Sequence, residues 1–143
     1  MRVFPATPAQ VREARQFLAA ILDGRSAADD AVLCLCELVT NAVLYSRSGE
    51  PGGHFTVRAQ LHDNVLRVEV RDDGGPWIWP AYPDGQHGRG LHIVAQLARA
   101  CGRTGDATAG WSVWFKIDCP LPPRTPAAVS HRSLRQRETG DDG

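Results

Sequence analysis

Neither sign of charge dominates this chain. Sixteen Lys and Arg stand against sixteen Asp and Glu, for a formal net charge of zero. No global field therefore argues for direct nucleic-acid binding or for an anionic membrane surface. Long apolar runs are missing too. None approaches the roughly 18 residues of a membrane span, and the N-terminus carries no secretory pattern. Cysteine is sparse: Cys34, Cys36, Cys101 and Cys119 form no CxxC pair. Two of them fall inside an apolar helical stretch, where a thiol behaves as a small hydrophobe. The five histidines are scattered without ligand spacing, which argues against zinc. Such cysteine usage suits a reducing cytoplasm. What is left is one domain of 143 residues, long enough for a single sizeable core.

The chain is organised around Ala31 to Ser46, AVLCLCELVTNAVLYS. At helical spacing this run is apolar almost all the way round, the mark of a helix buried on most faces. Glu37, Thr40 and Asn41 interrupt it, and Glu37 and Asn41, four apart, share one face. A buried unpartnered carboxylate costs several kcal/mol and a buried amide roughly 1–3. The two side chains therefore need partners. Backbone groups or a neighbouring Arg would serve, and so would a ligand carrying a cation and phosphates.

Either side of this helix the elements are legible. Met1 to Pro5 suits a short edge strand. Thr7, Pro8 and Gln10 form an N-cap signature for a helix with Val11, Ala14, Leu18, Ile21 and Leu22 on one stripe, ended by Gly24. Ser26 with Asp29 is a second capping signature, opening the central helix. Ser48 to Gly53 reads as a loop. Two strands follow, His54 to His62 and Val65 to Asp72, joined at Asp63-Asn64. On the second, Leu66, Val68 and Val70 share a face with Asp72, so the period of two delivers a carboxylate to the end of an apolar face. Asp73, Gly74, Gly75 and Pro76 come next, where the backbone turns sharply or something approaches closely. Asp72 either caps its own turn or meets a ligand.

Trp77 to His87 is a loop rich in Pro and aromatics, suited to a lid or contact surface, or to packing on the core edge. Gly88-Arg89-Gly90 leads into a helix bearing Leu91, Val94, Ala95 and Ala98 and ending near Gly102. Glycines at a helix start either admit an anion to the backbone N–H groups or allow tight packing on a sheet. Trp111, Val113, Phe115 and Ile117 alternate with Ser112, Trp114 and Lys116 in a last strand, with a shorter one around Cys101 to Gly105. From Pro120 the apolar periodicity stops, prolines cluster and the charge runs basic, then acidic. Residues 1–119 are therefore expected to form the domain, and 120–143 a disordered Pro/Arg-rich tail.

ELVTN at 37–41, RDDGGP at 71–76 and HGRGLHIV at 87–94, in that order, resemble the three nucleotide boxes of the GHKL superfamily, which includes gyrase, MutL and histidine-kinase catalytic domains. Within it, the chain over roughly residues 5–118 looks most like the stand-alone anti-sigma-factor serine/threonine kinases of bacteria, of the type widespread in actinobacteria. The resemblance implies an α/β (α+β) two-layer sandwich: a mixed, largely antiparallel sheet with helices packed on one face, and ATP held between helix and lid. It matches Glu37 and Asn41 to the N box, Asp72 and Gly74 to the first glycine box, and Gly88 and Gly90 to the second, where Arg89 and Leu91 join the nucleotide-contacting set. Ser112 falls where relatives usually carry Thr, and Pro76 stands where they often carry a last glycine.

By the same resemblance Asp72 accepts the exocyclic amine of adenine, Asn41 serves Mg²⁺, and Glu37 orients or deprotonates an attacking hydroxyl. The implied activity is transfer of the ATP γ-phosphate to a Ser or Thr of an antagonist protein, in a cytoplasmic regulator whose partners include a sigma factor. A homodimer is left open. The other reading is a non-catalytic module that binds nucleotide and sequesters a sigma factor. A histidine-kinase fragment is disfavoured because no phospho-acceptor helix precedes the domain, and gyrase-like or MutL-like function because the length leaves no room for a further domain.

Overall fold

The structure is a computed structural model that describes residues 1–75 and 88–122, with residues 88–91 described as backbone. The strands are β1 (Arg2–Pro5), β2 (His54–His62), β3 (Val65–Arg71), β4 (Ala100–Asp106) and β5 (Gly110–Asp118), and the helices α1 (Pro8–Ile21), α2 (Ala28–Tyr45) and α3 (Gly88–Leu97). The strands form one open sheet in the order β1-β2-β3-β5-β4. Among the described residues every pairing is antiparallel, so the mixed, largely antiparallel sheet expected above is antiparallel throughout them. β3 and β4 run the same way, but β5 lies between them and pairs with both.

Register fixes which face is buried. Val57 stands opposite Val70, Val68 opposite Phe115 and Leu66 opposite Ile117, and all six are buried. The alternate set, Arg58, Arg67, Glu69, Arg71, Ser112, Trp114 and Lys116, takes the outer face. The β2–β3 hairpin closes on Asp63 and Asn64, both at positive φ (50° and 61°), the two-residue turn whose twist suits paired strands.

The helices cover the inner face. α1 buries Ala14, Leu18 and the adjoining Leu22. α2 buries Ala31, Cys34, Leu35, Leu38, Val39, Asn41 and Ala42, a set broad enough to meet α1 on one side and the sheet on another. Each Val, Leu or Phe so buried contributes about 1.5–3 kcal/mol.

Three local expectations are corrected. Thr7 and Gln10 form no capping box, because the Gln10 N–H is taken by the Thr7 carbonyl at 3.0 Å and Thr7 makes no side-chain cap. Ser26 does not cap α2, which starts after Ala27, and Asp29 and Asp30 instead place charge at its positive end. α3 ends at Leu97 instead of near Gly102, since the Arg99 N–H bonds the Lys116 carbonyl at 2.8 Å and hands the chain to β4. Pro76, the Trp77–His87 loop and the tail from residue 123 lie outside the described residues.

Candidate functional site

Asp72 continues the buried face of β3 and is only 5% exposed. Its Oδ1 accepts the N–H of Gly74 at 2.7 Å and of Trp111 at 3.1 Å, and its own N–H bonds the Trp111 carbonyl at 2.9 Å. It thus caps its own turn, one of the two roles open to it. These two backbone donors on Oδ1 orient the carboxylate. Gly74 must be glycine here: its φ is +87°, and a Cβ would fall on the Ala107 carbonyl oxygen.

The end of α2 is tied to this turn. Ser46 donates its hydroxyl to the Ala42 carbonyl at 2.6 Å and accepts the Ser48 N–H at 3.0 Å, which starts a single 3₁₀ turn, Arg47–Gly49. The Arg47 N–H then bonds the Gly74 carbonyl at 2.7 Å, and the Ser48 hydroxyl accepts the Asp73 N–H at 2.8 Å. The Ala107 carbonyl, on the β4–β5 turn, accepts both the Gly75 N–H at 3.0 Å and the Arg47 guanidinium. Helix end, glycine turn and hairpin turn are thereby one hydrogen-bonded unit.

Asn41 lies five residues before Ser46, about 7.5 Å back along the helix axis. It is 6% exposed, and its Nδ2 has no hydrogen-bond partner among the described residues. Leaving such a group unsatisfied costs about 1–3 kcal/mol. Glu37, one turn earlier on the same stripe, is half-buried, as is Thr40. Gly88, Arg89, Gly90 and Leu91 form the first turn of α3, whose leading N–H groups have no partner within the helix. Among the described residues no group of three or more His, Cys, Asp or Glu gathers to hold a metal.

Ser112 does not belong with these residues. It pairs with Arg71 and Thr104 on the outer face of the sheet and hydrogen-bonds Glu69. Partial burial pushes the Glu69 carboxyl up, but hydrogen bonds from Arg67 and Ser112 outweigh this and hold it below the ordinary range. Trp111 instead takes the inner-face position beside Asp72, and its indole Nε1–H bonds the Gly75 carbonyl at 3.1 Å. Trp111, Arg47 and Ser48 are the site residues that sequence reasoning missed.

The family described as histidine kinase-like ATPase domain matches residues 4–117. The chain belongs to this family. Its members' fold accounts for the open antiparallel sheet with helices on one face. No curated protein matches the chain. Among solved structures it is similar to full-length ShkA in complex with AMPPNP, at 20% identity and a TM-score of 0.52, over 88% of this chain and 33% of that one. It is also similar to the histidine kinase domain of a blue-light activated histidine kinase from Erythrobacter litoralis, at 23% identity and a TM-score of 0.49, over 80% of this chain and 65% of that one. The chain thus spans less than two thirds of either protein.

Proposed function

We propose that this histidine kinase-like ATPase domain binds ATP with Mg²⁺ and transfers the γ-phosphoryl group to a Ser or Thr of an antagonist protein, as an anti-sigma-factor-type regulator. One observation carries the nucleotide reading: the Asn41 amide is buried, with Nδ2 unpartnered among the described residues, on a helix whose end is bonded to the Asp72 turn. An amide offers an oxygen to a hard cation and an NH₂ to a phosphate oxygen, so a magnesium nucleotide answers both needs. When bound, Mg²⁺ supplies charge neutralisation on the phosphates.

The remaining roles fall to this chain's own groups. Asp72, fixed through Oδ1, accepts the exocyclic amine of adenine. The first-turn N–H groups of α3 bind phosphate oxygens. Glu37 receives the proton of the attacking hydroxyl as its oxygen bonds the γ-phosphorus and the bond to the ADP oxygen breaks. A sigma factor and its antagonist protein are the partners of this reading, and the cytoplasm is its compartment. Among the described residues no helix is long and apolar enough to cross a membrane.

Transfer of labelled phosphate from ATP to candidate antagonists tests the assignment. Glu37→Gln should keep the fold and nucleotide affinity while transfer falls about 10²–10⁴-fold, the usual contribution of a positioned base. If the wild type transfers nothing, yet captures a sigma factor equally well with Glu37 replaced, the protein is the non-catalytic module.

A further inference from the structure

Trp111 touches both ends of the Asp72–Gly75 turn. Its backbone N–H and carbonyl hold Asp72, the former on the carboxylate Oδ1 and the latter on the main chain. Its indole N–H, on the other side of the turn, holds the Gly75 carbonyl at 3.1 Å. The ring is itself braced, because the Arg103 guanidinium stands 3.7 Å from its centroid. Such a stack is worth most where water is partly excluded, and both residues are half-buried. Gly74, whose N–H supplies the second bond to Oδ1, lies between the two ends that Trp111 grips. Any shift of the Gly75 carbonyl therefore moves a donor that sets the carboxylate's orientation.

We infer that Trp111 is a positioning residue that sets base selectivity: its indole, braced by Arg103, holds the glycine turn so that Asp72 presents its carboxylate to an amino-bearing base. This rests on the nucleotide reading above. An acceptor fixed in this way favours adenine, which offers an exocyclic N–H, over hypoxanthine, which puts an oxygen in the same place. The side chain's share is the Gly75 bond, since the two Asp72 bonds come from backbone that any residue supplies.

Calorimetric titration of the full chain with ADP and with IDP separates this role from packing. The wild type should prefer ADP. Trp111→Phe keeps a ring against Arg103 but removes the N–H, and should reduce the ADP-to-IDP preference about three- to tenfold, the loss expected for one neutral hydrogen bond. Trp111→His, which restores a ring donor, should regain part of it. A lower melting temperature with an unchanged preference would overturn the inference and leave Trp111 as packing. Should Trp111→Phe fail to fold, the wild type still decides. Its Trp111 indole N–H resonance, assigned by replacing Trp77, Trp79 and Trp114 with Phe, should shift with ADP and stay put with IDP, and an equal response to both would overturn the inference. A wild type that binds neither nucleotide would overturn the nucleotide reading itself.

Discussion

The buried hydroxyl of Ser48 accepts the backbone N–H of Asp73 at 2.8 Å, joining the turn after α2 to the turn after β3 across 25 residues of sequence. The bond secures the residue next to Asp72 from the helix side, while Trp111 secures Asp72 itself from the sheet side. Helix α2 and the Asp72 carboxylate that follows β3 therefore hold a fixed relation.

Ser48→Ala should expose this dependence. Removing the hydroxyl strands the Asp73 N–H and should cost about 1–3 kcal/mol. Urea unfolding gives the stability, and unchanged stability would show that another acceptor replaces Ser48.

Gly74→Ala should be worse than an ordinary glycine substitution. The residue sits at φ +87°, where an L side chain is strained by about 1–3 kcal/mol, and the methyl also meets the Ala107 carbonyl. The same urea experiment should show a larger loss than Gly52→Ala, since Gly52 shares the positive φ (+80°) but has open space around it. Equal losses would mean that the Ala107 contact yields freely.

How much of this was legible in the sequence differs element by element. Alternation in Leu66, Val68 and Val70 carried Asp72 to the buried face, because a strand's period of two is strict. The same rule, applied to Val113, Phe115 and Ile117, puts Ser112 on the outer face and Trp111 on the inner one. The signal for that correction was therefore in the chain, and the family position of Thr was a poorer guide than the pleat. Ser48 left no such trace. A serine among Gly, Glu and Pro reads as a solvated loop, and only the tertiary bond to Asp73 explains its burial. The cap at Thr7 failed because its backbone carbonyl already takes the Gln10 N–H, and the one at Ser26 because the helix starts only after Ala27, with the Ala28 N–H held by the Arg25 carbonyl.

Acid should loosen the β4–β5 turn. Backbone N–H groups of Ala109 at 2.6 Å and Thr108 at 2.8 Å hold the Asp106 carboxyl below its ordinary value of 3.8. A lowered folded-state pKa gives stability that is full above the ordinary value and is lost as pH falls through the lower, folded one. Asp106→Asn cannot titrate, so the wild-type advantage should be constant above about pH 5 and shrink as pH falls below about 4. A constant difference would contradict this.

At the alkaline end Cys34 matters. Burial, then the charges of Asp30, Cys101 and Glu37, push its thiol from 9.0 up to about 11. Raised in the fold, it contributes stability below pH 9.0 that is lost as pH rises from there toward about 11. Cys34→Ala should flatten the fall in unfolding free energy over that window, although it lowers stability at neutral pH. An unchanged slope would place the alkaline loss on other groups.

Calorimetric titration of ATP, with and without Mg²⁺, into the wild type, Asn41→Ala and Asp72→Ala tests the central claim most directly. The wild type should bind more tightly with Mg²⁺ than without it. Asn41→Ala should lose most of that metal-dependent gain, and Asp72→Ala should bind about 5- to 150-fold more weakly, the consequence of unpaired polar groups. Equal affinity in all three proteins, or no binding by the wild type, would contradict the assignment of this helix and turn as a nucleotide site.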